Sequence, residues 1–322
     1  GKLPLYFEIF ENSSKYHVVY DQIQSEQATR FYKKRNRNMI MEVSEDIPEY
    51  PNFKWMTLGQ IKKLMEIDNL VNMDTRTVLA GIPLITTRLD DGSVESMKQY
   101  FTDEALFNSV YNVSPFDTLP KIFGEINNYK MFRELTISEI PLNQLVDWKV
   151  NEYGITCVKH ADFMVRYYDI EISGREVQHW YQPLFKAIGM ATFGLLTCVD
   201  QGTRKYLIKV KPEIGSFDKV ELGPTVQWEP THYLYNDDKI ENLFRQRLEQ
   251  KKGVLYDVIL SEEGGRFYHE QNRNVIIEIE HCRDEEIPDG YIWVDYGTLN
   301  FMIQINNCLN IQLRNLLSLL KI

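Results

Sequence analysis

Cysteine, long apolar runs and the common nucleotide-site signatures are all scarce or missing in this 322-residue chain. The four cysteines (Cys157, Cys198, Cys282, Cys308) form no CxxC and no Cys–His spacing suited to a metal. They read as buried thiols of a reducing cytoplasm, not as disulfides or a zinc site. No apolar run approaches about 18 residues, which excludes a membrane-spanning helix, and the opening GKLPLYFEIFE is not a signal peptide. There is no GxGxxG, GxxxxGK[ST] or GxSxG, so no Rossmann, phosphate-loop or nucleophile-elbow site is visible. His17, His160, His179, His232, His269 and His281 show no metal spacing, and no metal site is expected. Acidic residues outnumber basic ones, 46 to 36, for a net charge of −10. That balance argues against broad nucleic-acid or anionic-membrane binding and leaves room for a local basic patch.

What is present is an internal repeat. Residues 20–43 (YDQIQSEQATRFYKKRNRNMIMEV) align without a gap with 256–279 (YDVILSEEGGRFYHEQNRNVIIEI), and about half the positions are identical. The match continues with Trp55 and Trp293, Gly59 and Gly297, Asn72 and Asn310, Arg76 and Arg314. Residue 1 aligns with Asp237, and nothing in the chain matches residues 135–236. The comparison of copies leads to the expectation that roughly 100 or more residues precede the first copy. A duplicated unit carries two candidate pockets, which are free to diverge.

The expected fold class is α+β, with a mixed or antiparallel sheet and flanking helices. Residues 1–80 form the C-terminal part of a first repeat, 81–130 a connection, and 131–322 a second, complete repeat. Thr57 and Gln60 make a capping box, and Asp295 takes the same N-cap place in the second copy. NMDTRTVLAGIP reads as a helix stopped by Gly81 and Pro83, and IPLNQLVDW (140–148) as another short helix. The connection is apolar (Phe107, Val110, Tyr111, Phe116, Ile122, Phe123) and should pack on a domain. YGITCVKH, FMVRYYDIEIS, ATFGLLTCVD, RKYLIKVK and VLYDVIL alternate as strands.

Three segments carry candidate chemistry. In GREVQHWYQPLF (174–185), Arg175 is suited to clamping a phosphate or carboxylate, Trp180 to stacking on a base, and Gln182 to reading a ring edge. The competing reading is a strand with a surface Arg–Glu pair and a buried Trp. His179 lies inside this segment. In KVKPEIGSFDKVELGPTVQW (209–228), Lys211, Glu213, Thr225 and Gln227 surround two turns. Glu213 in a partly dry pocket is suited to act as a base; in water it is a solvated partner of Lys211. SEQATRFYKKRNRN (25–38) is basic through Arg30, Lys33, Lys34, Arg35 and Arg37, with Tyr32 among them. Its second copy keeps Arg266, Tyr268, Asn272 and Arg273 but has Glu270 and Gln271 in place of Lys34 and Arg35. If this loop meets a diphosphate, the first copy binds it better. The shared residues equally fit a requirement of the fold.

Together, SEQATRFYKKRNRNMIMEV, WMTLGQIKKLM, NMDTRTVLAGI, GREVQHWYQPL and KPEIGSFDKVELGPTVQ resemble the NDP-hexose 2,3-dehydratase family of deoxysugar biosynthesis. The resemblance implies two Nudix-like repeats, here with the first incomplete, and a cytoplasmic homodimer. It also implies a cofactor-free lyase acting on a nucleotide-linked 4-keto-6-deoxyhexose, usually the dTDP sugar. The product, a 3,4-diketo sugar, passes to a separate NAD(P)H-dependent ketoreductase. On this reading Glu213 is the base, and Gln182, Lys211 or Tyr268 supply protons and oxyanion contacts. Arg175, Arg266 and Arg273 hold diphosphate, and Trp180 stacks on the base or sugar. His179, Thr225, Gln227, Asn272, Arg30, Tyr32, Lys34 and Arg35 complete the candidate binding set. The Nudix box is absent, so magnesium-dependent diphosphate hydrolysis is not expected. The alternatives are a second repeat that only binds nucleotide sugar, or a degenerate Nudix-type hydrolase.

Overall fold

The computed structural model describes residues 3–84, 91–159, 161–230, 237–282 and 287–321. A two-stranded antiparallel hairpin comes first, β1 (His17–Ser25) with β2 (Arg35–Glu42). A four-stranded antiparallel meander follows: β3 (Trp148–Asn151), β4 (Gly154–Cys157), β5 (Phe163–Glu171) and β6 (His179–Ala187). The largest sheet has seven strands: β7 (Ala191–Asp200), β8 (Thr203–Pro212), β9 (Val220–Gly223), β10 (Val226–Trp228), β11 (Val254–Ser261), β12 (Gln271–Glu278) and β13 (Tyr291–Asp295). Its order is β11-β12-β7-β8-β13, with β10 on β7 and β9 on β8. β12 runs parallel to β7 and the other pairs are antiparallel, so the sheet is mixed and the α+β expectation holds. Asp200 and Thr203 close the β7–β8 hairpin through Gln201 and Gly202, both at positive φ (48° and 78°), as a two-residue turn demands.

Helix boundaries follow local chemistry. The Thr57–Gln60 capping box forms in full ahead of Leu58–Leu64. Asn72 caps Met73–Leu79, Asp295 caps Tyr296–Ile303, and Asn310 caps Ile311–Ser318. Within the connection, Glu104–Tyr111 buries Leu106, Phe107 and Val110, while Pro115–Phe132 buries Leu119, Ile122 and Ile126 on one face. Phe116 and Phe123 of that expected apolar set stay exposed. The helix expected over 140–148 is only a 3-10 turn, Leu142–Gln144, and Trp148 already begins β3. Ile140, Leu142 and Val146 are all exposed, so no buried face offsets the cost of nucleating a longer helix.

The repeat is visible bond by bond. Ser25 opposes Arg35 as Ser261 opposes Gln271, and both hairpins break register at the same place, Val18/Tyr20 and Val254/Tyr256. Arg37 grips Asp21 with two bonds of 2.6 Å, and Arg273 grips Asp257 with two of 2.7 Å. The copies also exchange bonds with each other. Arg76 donates to Val71 O (2.5 Å) and, across the seam, to Ser261 O (2.7 Å). Arg314 donates to Leu309 O (2.6 Å) and, across the seam, to Ser25 O (2.6 Å). Asn69 N donates to Ile259 O and Asn307 N to Ile23 O; in return Ile259 N meets Asp68 and Ile23 N meets Asn306. Lys62 reaches Leu320 O (3.0 Å) as Asn300 reaches Ile82 O (2.8 Å). One hydrophobic core runs through all of this, from Tyr20 and Met65 through Leu106 and Ile122 to Leu195, Leu299 and Leu313.

Both guanidiniums are 1 % exposed. Burial pulls Arg76 down to about 10, which leaves it cationic at neutral pH, and pulls Arg314 downward as well, opposed by Glu221. Replacing Arg314 by Ala strands several buried carbonyls. With roughly 1–3 kcal/mol per unsatisfied buried group, stability should fall by about 3 kcal/mol or more. Arg76→Ala should cost a similar amount. Urea unfolding midpoints measure both, and an unchanged midpoint for either rejects the clamp.

Candidate functional site

The first repeat's hairpin loop lies on the turn between β8 and β9 of the second. Lys33, at φ 53°, donates its backbone N–H to Gly215 O at 2.6 Å. A side chain at Gly215 would come within 2.0 Å of Ala28 O, so this approach requires glycine. Beneath the contact sits a buried polar group. Lys211 Nζ lies 3.7 Å from Glu213 Oε1. Asn310 Nδ2 donates to the same oxygen (3.0 Å) and to Gln227 Oε1 (3.1 Å), while Asn310 Oδ1 accepts from Leu313 N. One amide therefore caps the last helix and holds the site. Ser25 Oγ, from the first repeat, donates to Glu221 Oε2 at 2.7 Å.

Desolvation dominates the electrostatics. It pulls the Lys211 ammonium down, against the pull of the Glu213 and Glu229 carboxylates. It pushes Glu221 up to about 7; Ser25 and Arg314 oppose the rise and Glu213 adds to it. A second layer continues the seam. Arg30 meets Glu229 (3.3 Å) and lies over the Phe163 ring, and its repeat equivalent Arg266 meets Glu26 (3.1 Å) and lies over Phe31. Asn272 donates to Glu262 (2.7 Å), as Asn36 does to Glu26. Burial raises Glu270 to about 7, helped by Glu262 and opposed by Arg30. On the β6 side, Trp180 Nε1 donates to Gln182 Oε1 (2.5 Å) and Gln182 Nε2 to Gly265 O (2.7 Å). Tyr268 N donates to Phe185 O, and its ring stacks on Tyr168 at 4.3 Å.

The structure thus gathers Lys211, Glu213 and Gln227 in one group, and Trp180, Gln182, Arg266 and Tyr268 around another. Arg30 and Asn272 belong to the layer between the repeats. The other candidates stand apart. Thr225 is fully buried, with its hydroxyl bonded to Leu196 N and Leu207 O inside the sheet. Arg273 braces its hairpin through Asp257. His179 pairs with Asp169 at the surface (2.6 Å). Arg175 and Trp180 line a shallow cleft of about 270 Å³ with Glu176 and Val177. Tyr32, Lys34 and Arg35 are exposed; Lys34 donates to Asn36, and Arg35 lies over Phe217. Lys34 and its counterpart Glu270 therefore differ in burial as well as charge. His160 and His232 lie outside the described residues. A cleft of about 900 Å³ between the helix Lys239–Glu249 and Leu196, Leu207 and Trp293 is lined by none of the candidates. We take as the candidate site the seam, where Lys211, Glu213, Gln227 and Asn310 meet in one bonded group and Ser25 reaches Glu221 from the first repeat.

Sequence reasoning missed Ser25, Glu26, Glu221, Glu229, Glu262 and Asn310 as parts of this arrangement. Asn310 was legible only as a repeat match, and Glu221 not at all, lying unremarked between two turns. The cysteine reading needs correction. Cys198 and Cys282 form a disulfide, with Cα atoms 5.7 Å apart, and only Cys157 and Cys308 are free. They are 84 residues apart in sequence, and only the parallel pairing of β12 beside β7 brings them together. Cysteine usage thus gives no support to a reducing compartment. Among the described residues no group of His, Cys, Asp and Glu could hold a metal, and no helix is long and apolar enough to cross a membrane.

Comparison with known proteins supplies an identity for the frame. Residues 1–82 and 121–320 match the family model for NDP-hexose 2,3-dehydratase, and the chain belongs to that family. It is similar to the dTDP-4-dehydro-6-deoxy-alpha-D-glucopyranose 2,3-dehydratase of Saccharopolyspora spinosa, 33% identical over 99% of this chain and 65% of the relative. The proteins of the same name from Streptomyces violaceoruber and Amycolatopsis orientalis are each 31% identical, over 94% and 97% of this chain and 65% and 61% of theirs. The chain thus spans less than two thirds of the length of these relatives. Among solved structures, an ADP compounds hydrolase aligns over 50% of this chain and 81% of its own at 11% identity, with a TM-score of 0.26, a likeness too slight to carry an argument.

The two raised carboxyls set a pH dependence. Unfolded, each loses its proton near 4.5; folded, Glu221 and Glu270 keep theirs to about 7. Between those values the unfolded chain binds fewer protons, so stability falls as pH rises from about 4.5 to about 7. Each group contributes on the order of 3 kcal/mol at most. Glu270→Gln should flatten part of this fall and raise the urea midpoint at pH 8 relative to the unsubstituted protein. An equal fall in both proteins rejects the buried carboxyl as its source.

Proposed function

We propose that this member of the NDP-hexose 2,3-dehydratase family removes water across carbons 2 and 3 of a nucleotide-linked 4-keto-6-deoxyhexose, with dTDP-4-keto-6-deoxyglucose as the first substrate to test. The observation that carries this reading is the family match over residues 1–82 and 121–320. The buried Lys211–Glu213 pair, bridged by Asn310 to Gln227, supports it with suitable chemistry. The carbon-4 ketone acidifies the carbon-3 hydrogen. Glu213 takes that proton, electron density moves toward the ketone oxygen, and the 2-hydroxyl departs once protonated. The resulting enol becomes the 3,4-diketo-2,6-dideoxy sugar. The Lys211 ammonium is the donor suited to the developing enolate oxygen, while Asn310 spends both its amide hydrogens on Glu213 and Gln227 and so holds the base in place. Arg175 beside Trp180, and Arg30 and Arg266 at the seam, are the cations assigned to the diphosphate.

Several wider inferences rest on the same reading. The chain divides into a first repeat (1–80), a connection (81–130) and a second repeat (131–322). The protein works in the cytoplasm as a homodimer without a cofactor, and an NAD(P)H-dependent 3-ketoreductase consumes its product. The net charge of −10 supports a substrate other than nucleic acid.

Incubation with dTDP-4-keto-6-deoxyglucose should give loss of one water by mass and loss of the 2-hydroxyl by NMR. Glu213→Gln should lower turnover by about 10²–10⁴-fold, the usual worth of a positioned base. Calorimetric dTDP affinity should stay near that of the unsubstituted protein. Retained turnover in Glu213→Gln rejects Glu213 as the base.

A further inference from the structure

We propose that Glu221 is the acid partner of Glu213, protonating the departing 2-hydroxyl while Glu213 removes the carbon-3 proton. This rests on the dehydratase reading above and adds a second catalytic residue to it.

The argument is positional. β8 and β9 pair so that Glu221 stands directly opposite Lys211, two residues before Glu213. Glu221 is 2 % exposed. Its Oε2 accepts one neutral hydroxyl, Ser25 Oγ, and its Oε1 is buried with no partner. The charged groups acting on it are Arg314 on the last helix, which lowers it, and Glu213, which raises it; Lys211 stands opposite on β8, and Cys308 is near enough for Glu221 to help burial push its thiol up to about 12. Arg314 does not pair with it. Its N–H groups go to neutral oxygens: Thr77 Oγ1, Gln24 Oε1, Leu309 O and Ser25 O. A buried, unpaired carboxylate is costly, and the neutral acid is the form that suits this place. A value near 7 agrees with that form. Glu213 is placed differently, with an amide donor and an ammonium beside it. Two carboxyls in unlike surroundings divide into acid and base.

The step balances. The carbon-3 C–H bond breaks, its proton goes to Glu213, and its electron pair forms the carbon-2–carbon-3 double bond. The carbon-2–oxygen bond breaks, and the hydroxyl leaves as water carrying the Glu221 proton. Glu213 ends as the acid and Glu221 as the carboxylate, and one proton exchanged through solvent resets the pair.

The test compares the pH profile of turnover in the unsubstituted protein, Glu221→Gln and Ser25→Ala, with carboxyl ¹³C NMR following Glu221 itself. The unsubstituted protein should lose turnover as pH rises through about 7, in step with the Glu221 resonance. Glu221→Gln should cut turnover by about 10²–10⁴-fold while dTDP affinity holds. Ser25 donates to the carboxylate and so favours the anion. Ser25→Ala should therefore move the resonance midpoint to higher pH and the alkaline limb of turnover with it, whereas a merely structural Glu221 would shift its resonance and leave the limb in place. An active protein whose Glu221→Gln form keeps its rate, or whose limb ignores Ser25→Ala, overturns this assignment alone. An unsubstituted protein with no dehydration of the 4-keto sugar overturns the parent reading, and this one with it.

Discussion

Two buried guanidiniums hold this molecule together. Arg76 closes on Ser261 O of the second repeat and Arg314 on Ser25 O of the first, each where its own strand ends. A buried charge survives only if its donors are matched, and the carbonyls at these two strand ends supply the match. Because the two contacts are reciprocal, neither repeat is satisfied without the other. The remaining exchanged bonds, through Asp68, Asn69, Asn306 and Asn307, follow the same symmetry.

The proposed site lies beside that constraint. Ser25 offers its carbonyl to Arg314 and its hydroxyl to Glu221, so the clamp and the site share a residue. Where the first hairpin loop docks at Gly215, Glu213 and Glu221 are buried and Lys211 is half-buried. Desolvation then draws Glu221 toward neutral pH and lowers Lys211, the direction acid–base chemistry needs. The repeats are unequal in this. Glu270 is buried at the seam, whereas its counterpart Lys34 faces solvent. Trp293 is 7 % exposed within β13 while Trp55, outside any strand, is 69 % exposed.

Much of the frame was legible because it rests on local rules. Alternation marked β5, β7, β8 and β11; Thr57–Gln60 and Asp295 announced their helices; and the matched pairs Asn72/Asn310 and Arg76/Arg314 recorded the duplication. The short helix expected near Leu142 failed because its apolar residues found nothing to pack against. The disulfide was invisible because Cys198 and Cys282 are 84 residues apart.

For the site, the sequence alone determined which residue types were available: a lysine and a glutamate two apart on a strand end, a glutamine after a tight turn, and basic loops in an acidic chain. It also determined that the unit was duplicated, and through its motifs the family. Only the tertiary structure decided which of those groups meet. It brought in Glu221, Asn310 and Ser25, and bound Thr225 and Arg273 into structural hydrogen bonds and ion pairs. The physical reason is that periodicity and capping act over a few residues, whereas the protonation of a carboxyl depends on how many donors, charges and waters surround it. Those surroundings come from segments hundreds of residues apart, joined by the packing of one repeat on the other.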